Sequence, residues 1–346
     1  MPFLKNCWYA AGWASELGAE PIARTFLDVP VVLFRDEHDQ PAALRDACPH
    51  RFAPLSLGRL KDGAIVCGYH GLEFARDGRC VRNPHGKAAI PVALNVQSFP
   101  LAEKQGMLWI WMGVQEQADT DLLPNLAQLE DPTFTWVYDK LKVSANYELV
   151  IDNLLDLSHV EFLHPFLASP GNSERTQFRT EQRDGTIISH YLAGDEPISL
   201  LFQLLWDRSE TVADLSAVIQ WSAPSNLQLD TALGVRGTPP EACLRIPTVH
   251  LLSPESSEST HYFWAAGRNR RIEDLQLSEM IRSGTANAFE NEDEPMIRAV
   301  RSRMRSSDLF AHKPALLAID ESAVRARRLL AKLIEAESNE LLHSAA

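Results

Sequence analysis

Two short segments hold the residues most able to do chemistry, Cys48-Pro49-His50 and Cys67-Gly68-Tyr69-His70. Each places a histidine two or three positions after a cysteine, at the end of a β-type run. Two such loops facing each other supply two thiolates and two imidazoles. That set suits a structural zinc, or a two-iron cluster in which two histidines hold one iron and two cysteines the other. Pro49 and Gly68 help the loops turn tightly. Zinc sites with two cysteines usually take them as a close pair with the histidines together. Here each loop gives one of each, which favours the cluster, although spacing alone leaves both readings open. Cys7, Cys80 and Cys243 have no such companion and read as buried thiols. His85, in Asn83-Pro84-His85-Gly86, reads as a turn residue.

The second unusual stretch runs from Asp152-Asn153 through Asp156 and His159 to His164-Pro165. On a helix, Asp152, Asp156 and His159 share one stripe. His159 and His164 would stand about 140° apart on a regular helix and could not grip one metal. Pro165 pushes the residue before it out of the α region. The helix is therefore expected to end or bulge near Leu163 and let His164 swing back beside His159. Two imidazoles begin a non-haem iron site, which needs one carboxylate and open positions. Asp156 is one candidate. Asp293 is another, because Phe289, Met296, Ile297, Val300 and Met304 trace an apolar helix stripe on which Asp293 falls and Glu290, Glu292 and Glu294 do not. A carboxylate in a core is costly unless paired or metal-bound. Pro295 should distort that helix. Asp156 would then be bonded to His159 behind the metal.

The elements that must carry these groups fall in two parts. Up to Gly113 the chain reads as short strands, among them Val31–Phe34, Ala64–Cys67 and Met107–Trp111, with tight turns at Lys61-Asp62-Gly63 and Arg76-Asp77-Gly78. A polar linker with a short helix follows to Pro132. Beyond it, a helix over Asn146–Phe162, extended meanders over Thr176–Leu192 and Leu215–Gly237, strands at His250 and His261 separated by a turn over Ser253–Thr260, and helices over Glu273–Met304 and Pro314–Glu337 make an α+β protein. The expected division is residues 1–113 and 114–346. At 346 residues, 45% hydrophobic and 23% charged, the composition is that of an ordinary globular chain. No apolar run reaches membrane-spanning length and no signal pattern opens the chain, so a cytoplasmic location is expected. A net charge of −13 argues against nucleic acid and no membrane partner is expected. Residues 45–87, however, carry eight Lys/Arg and four Asp/Glu, a +4 island in a remainder of −17.

With both constellations in view, the chain resembles the oxygenase component of the Rieske non-haem iron oxygenases, and within them the vanillate and dicamba O-demethylase group. The resemblance covers nearly the whole chain, through Asn6-Cys-Trp-Tyr-Ala-Ala, Cys48-Pro-His-Arg-Phe-Ala-Pro-Leu-Ser, Cys67-Gly-Tyr-His-Gly-Leu-Glu-Phe, Asp152-Asn-Leu-Leu-Asp-Leu-Ser-His and Arg268-Asn. It implies an N-terminal Rieske β domain and a helix-grip catalytic domain. It implies that Cys48, His50, Cys67 and His70 hold a [2Fe–2S] cluster, and that His159, His164 and Asp293 hold mononuclear Fe(II). It makes Asp156, with Asn153, a catalytic residue, Asp156 being the bridge from the iron to the cluster of a neighbouring subunit in a homotrimer.

The expected reaction is O-demethylation of a methoxylated, vanillate-like aromatic acid with O2, releasing formaldehyde. Aryl-methyl hydroxylation or N-dealkylation of an aromatic compound is the alternative, and a zinc-stapled binding module without catalysis the remote one. No Gly-X-Gly-X-X-Gly loop is present, so electrons must come from a separate NAD(P)H-dependent reductase or ferredoxin. The +4 island is the expected docking surface for such an acidic donor. Trp221, Leu227, Leu229, His250, Phe263 and Phe289 are candidate pocket residues. Relatives in this group carry polar pocket groups near the positions of Leu229 and Gly284, which leaves His250 as the polar handle.

Overall fold

The computed structural model describes residues 3–87 and 89–344, and they form two compact units. The first takes in Phe3–Asn125 with Ser253–Ser256, so it extends past the expected boundary at Gly113. The indole Nε1–H of Trp8 donates to the Asp119 carbonyl at 2.7 Å and ties part of the polar stretch to the first strand. Three antiparallel sheets build this unit. One joins β1 (Trp8–Trp13), β10 (Leu101–Lys104) and β11 (Met107–Trp111). The next joins β2 (Ile22–Phe26), β3 (Val29–Arg35), β4 (Pro41–Arg45) and β9 (Ser98–Phe99). The third, β5 (Arg59–Lys61), β6 (Ala64–Val66), β7 (Glu73–Phe74) and β8 (Cys80–Arg82), is pinned by the turn at Asp62 and Gly63, both in the left-handed region at φ 47° and 72°. Cys48 and Cys67 sit in an apolar core with Phe34, Leu55, Ile65 and Phe74.

The second unit is a seven-stranded antiparallel sheet in the order β12-β18-β17-β16-β15-β14-β13. Its strands are β12 (Thr135–Val143), β13 (Gln177–Arg183), β14 (Thr186–Pro197), β15 (Val212–Ser222), β16 (Asn226–Gly234), β17 (Leu244–Ser256) and β18 (Ser259–Arg268). The turn expected over Ser253–Thr260 is therefore shorter, because both strands run into it. The helices are α1 (Tyr147–Leu155), α2 (Val160–Leu163), α3 (Asn172–Arg175), α4 (Leu200–Gln203), α5 (Leu275–Asn287), α6 (Glu294–Arg303) and α7 (Glu321–Ser344). Register in the sheet places Ala217, Leu229, Thr231, Thr248 and His250 on one face, since paired and alternate residues share a face. No helix among the described residues is long and apolar enough to cross a membrane.

Two expected helices differ in extent. The first breaks at Asp156 (φ −105°, ψ 89°), so Asp152, Asp156 and His159 do not form one stripe. The last starts at Glu321 and not at Pro314, after a short 3-10 turn over Ala318–Asp320.

Candidate active site

The two Cys/His loops of the first unit have the same construction. In each, the cysteine N–H donates to the carbonyl five residues on, and its carbonyl accepts from the N–H four residues on. Cys48 pairs in this way with Ala53 and Phe52, and Cys67 with Leu72 and Gly71. The fourth residue after each cysteine is left-handed, Phe52 at φ 58° and Gly71 at 70°. A bulky residue adopts that conformation only under strong local constraint. The thiols are buried, while His50 is exposed and His70 half-buried, their rings 4.5 Å apart edge to face. Burial, with a contribution from the neighbouring Cys67, outweighs backbone hydrogen bonds from His50 and Arg51 and pushes the Cys48 thiol up to about 11. Only one set of three or more ligand-type side chains among the described residues has donor atoms within 4.8 Å of one another, and it is not this one. Four donors around one zinc would converge more closely. Two buried thiols and two outward imidazoles fit a cluster with two metal positions. His85 is the expected turn residue, exposed, with Nε2 2.7 Å from the His70 carbonyl.

The set that does converge is His159, His164 and Asp293. Local sequence explains how. Asn146 caps α1, its side chain accepting from the Glu148 N–H at 3.0 Å. Asp156 then ends that helix and caps the next turn, accepting from the N–H and hydroxyl of Ser158 at 2.9 and 2.6 Å. His159 closes the 3-10 turn over Leu157–His159, and α2 stops at Leu163. His164 leaves helical geometry (φ −125°, ψ 68°) ahead of Pro165, and the two imidazoles stand 5.3 Å apart. Asp156 does contact the His159 ring, but through its main-chain carbonyl to Nδ1; the expected carboxylate bond is not the one formed.

On the other side, the chain forms a π turn over Ala288–Asp293 ahead of Pro295. The wider turn rephases the helix. Asp293 and Ile297 are buried as expected, whereas Met296 and Val300, placed on the same stripe by their spacing, rotate out to exposure. The π turn also brings in Glu292, which the stripe excluded. Its Oε2 lies 2.5 Å from His164 Nδ1. Asp293 Oδ1 lies 3.1 Å from His164 Nε2 and 3.5 Å from His159 Nε2, and it accepts from Asn153 Nδ2 at 3.1 Å. The Asp156 carbonyl and the Glu292 carboxylate accept only, so with a metal at the centre each histidine would keep its proton on Nδ1 and offer the Nε2 lone pair to the ion. Burial lowers the His164 pKa, but Asp293 and Glu292 outweigh it and the net shift is upward. Two Nε2 lone pairs and one buried carboxylate fit a divalent iron with open coordination positions.

A further clamp fixes α1. Arg327, on α7 and buried, reaches Asp152 and Glu148, both at 2.7 Å. Asp152, expected on the metal-facing stripe, serves here.

A cavity of about 220 Å³ opens on the triad. The sheet face contributes Phe178, Tyr191, Leu229, Thr231, Thr248 and His250, and α5 with the π turn contributes Ile281, Thr285, Ala288 and Phe289. Three candidate pocket residues are absent from its wall. Trp221 and Leu227 share the face but lie at the strand ends beside the β15–β16 turn, and Phe263 alternates to the opposite face from Tyr262 and Trp264. Gly284 is a correction of the same kind. It is exposed, with open space where a Cβ would stand, just off the stripe of Ile281, Thr285 and Ala288.

Residues 7–100 match the Rieske [2Fe-2S] domain family, and residues 143–336 match the vanillate O-demethylase oxygenase C-terminal domain. The chain is 38% identical to the oxygenase component of dicamba O-demethylase from Stenotrophomonas maltophilia, over 98% of this chain and 100% of that one. It is 36% identical to the oxygenase component of chloroacetanilide N-alkylformylase from Rhizorhabdus wittichii, over 97% of each. A crystal structure of dicamba monooxygenase bound to dicamba superposes with a TM-score of 0.92 at 36% identity, over 98% of this chain and 100% of that one. A Rieske domain, a His159–His164–Asp293 metal triad and relatives matched end to end place this chain among the Rieske non-haem iron oxygenases, as an oxygenase component of the vanillate and dicamba O-demethylase group.

Proposed function

We propose that this oxygenase removes the methyl group of a methoxylated aromatic compound. The observation that carries the reading is an apolar cavity with the metal triad in its wall and room for one substituted ring. In the balanced reaction the methyl C–H and O2, with two electrons and two protons, give a hemiacetal and water. The hemiacetal's C–O bond then breaks to release a phenol and formaldehyde. Iron in the triad supplies O2 activation, and a [2Fe–2S] cluster on Cys48, His50, Cys67 and His70 supplies electrons one at a time. The protein's own part is positional. Asn153 holds Asp293 Oδ1, Asp156 and Glu292 fix the two imidazole tautomers, and the Leu229, Ile281 and Phe289 walls exclude water from the reacting carbon.

Electrons come from a separate NAD(P)H-dependent reductase or a ferredoxin. Arg45, Arg51, Arg59 and Lys87 support a docking role, being exposed and without an ion pair among the described residues. Arg76, Arg79 and Arg82 are instead paired with Asp36, Asp77 and Glu73. A homotrimer, in which Asp156 links the iron to the cluster of a neighbouring subunit, and a cytoplasmic setting complete the reading.

The test is turnover of iron-loaded protein with a surrogate reductase on a panel of methoxyarenes, following formaldehyde and the matching phenol. Equimolar formation of both is expected. Hydroxylation of aryl methyl groups in place of that reaction would overturn O-demethylation. The likeness to an N-alkylformylase favours N-dealkylation as the second reading, so N-alkyl anilides belong in the panel.

A further inference from the structure

The helix that carries Asn153 and leads into His159 ends on a carbonyl held from two sides. Leu155 is the last residue of α1 and is fully buried, so its carbonyl has no partner within the helix and cannot turn to bulk water. The Tyr191 hydroxyl, on β14, donates to it at 2.8 Å, and the Ser322 hydroxyl, on α7, donates at 3.2 Å. A carbonyl oxygen offers two lone pairs, and both are taken. The two donors lie 36 and 167 residues away in the chain, so the helix end is fixed by tertiary structure and not by its own turn.

Tyr191 works at both of its ends. The ring stands in the cavity wall, stacked on Phe178 of β13 with centroids 6.5 Å apart and planes at 29°. The hydroxyl is buried behind that wall, against the helix end. Burial pushes the phenol up to about 12, so it remains a protonated donor through neutral pH. Ser322 precedes Arg327 by five residues on α7. One helix thus grips α1 twice, at Glu148 and Asp152 through Arg327 and at its last carbonyl through Ser322.

Peptide planarity carries the effect of that carbonyl to the metal centre. The Leu155 carbonyl and the Asp156 N–H belong to one rigid plane. Its N–H edge is tied to the carbonyls of Asp152 and Asn153, at 3.2 and 3.3 Å. With both edges held, the next two torsions (φ −105°, ψ 89°) bring the Asp156 carbonyl onto His159 Nδ1. That contact orients the imidazole whose Nε2 faces Asp293. Two residues before Leu155, Asn153 holds Asp293 itself. Displacing the helix end would therefore disturb the supports of two of the three ligands.

We propose that Tyr191 is a positioning residue of the metal centre, fixing through the Leu155 carbonyl the peptide plane from which Asp156 reaches His159, with Ser322 as the second anchor. The inference concerns metal binding and rests on the triad alone, not on the O-demethylase reading of the cavity.

The test uses the full chain with its cluster assembled and the triad emptied, titrated anaerobically with Fe(II) against a chromophoric chelator. Tyr191→Phe keeps the ring and its stack on Phe178 and removes only the donor. Its Fe(II) affinity should fall about three- to tenfold, less than for a group bonded directly to a ligand. Adding Ser322→Ala leaves the buried carbonyl with neither donor, and the loss should grow to about 10–100-fold. With Co(II) bound at the triad, the ligand-field absorption of Tyr191→Phe should differ from wild type, because the His159 ring meets the metal at another angle. Fe(II) affinity of Tyr191→Phe within about twofold of wild type overturns the proposal. An identical Co(II) spectrum, or a double variant no weaker than Tyr191→Phe, overturns it as well. So does a loss of stability in denaturant with Fe(II) affinity unaltered, since Tyr191 would then only hold the fold together. If the double variant does not fold, the single variant decides. A wild type that takes up no Fe(II) at the triad would overturn the metal centre and this inference with it. No substrate is used, so the O-demethylase reading fails or stands separately.

Discussion

The two metal-site regions of this chain are built by opposite strategies. The Cys/His loops are local. Each is closed by two backbone hydrogen bonds within six residues, and each turns its cysteine into the core and its histidine outward. The His159–His164–Asp293 centre is assembled across the sequence, from a helix that breaks twice and a π turn more than a hundred residues later. Its order depends on partners behind the ligands, namely the Asp156 carbonyl, Glu292, Asn153 and the Arg327 clamp. A locally closed site should lose everything when a ligand is removed and be indifferent to distant changes. A distributed site should weaken by degrees as its supports are removed.

The largest expected effect is that of Cys67→Ala. It removes a buried thiol from one of two matched loops, so the visible absorption should bleach and turnover cease. Retained colour would show that the loops do not share a cluster. Arg327→Ala should separate the regions. It leaves Glu148 and Asp152 without their buried cation, at a cost of about 3–5 kcal/mol in unfolding free energy by denaturant titration. The cluster absorption should persist below that transition. Loss of the exposed Arg325–Glu321 pair should change stability by no more than about 0.5 kcal/mol, and equal effects would contradict the clamp.

Glu292→Gln is the graded case. It keeps the shape but weakens the acceptor that holds the His164 proton on Nδ1, so iron affinity should fall about 10–100-fold with the cluster spectrum unchanged. Unaltered affinity in an iron titration would remove Glu292 from the site. The smallest effect belongs to the surface. Reversing Arg51, Arg59 and Lys87 to Glu should raise the apparent KM for an acidic ferredoxin and not for substrate, with the wild-type rate falling as salt rises. A rate indifferent to salt would leave the +4 island without a docking role.

The same contrast explains what could be read from sequence. Both loops were legible because their chemistry lies in contiguous letters. So was the end of α2, since Pro165 acts on its immediate neighbour. The Met107–Trp111 strand was equally plain, every residue of it being buried. The π turn was not legible. Pro295 pointed to a distortion, but apolar spacing at 3.6 residues per turn cannot report one extra residue in a turn. Met296 and Val300 were consequently placed inward and Glu292 outward. Asp152 and Arg327 find each other through tertiary packing, for which neither local pattern gives a signal. His250 was legible as a polar residue of the pocket, but the contact of its Nδ1 with the Tyr262 hydroxyl joins residues twelve apart on neighbouring strands, for which local spacing gives no signal.

The central claim is that one chain holds two separable iron sites, and iron content read together with the visible spectrum tests it most directly. Wild-type protein should contain about three irons per chain, two in the cluster and one in the triad. Asp293→Ala should contain about two, keep the cluster absorption and lose turnover, because Asp293 is the one carboxylate in the converging set. Stoichiometric zinc in colourless protein purified with iron supplied would contradict the cluster. Three irons and full activity in Asp293→Ala would contradict the triad.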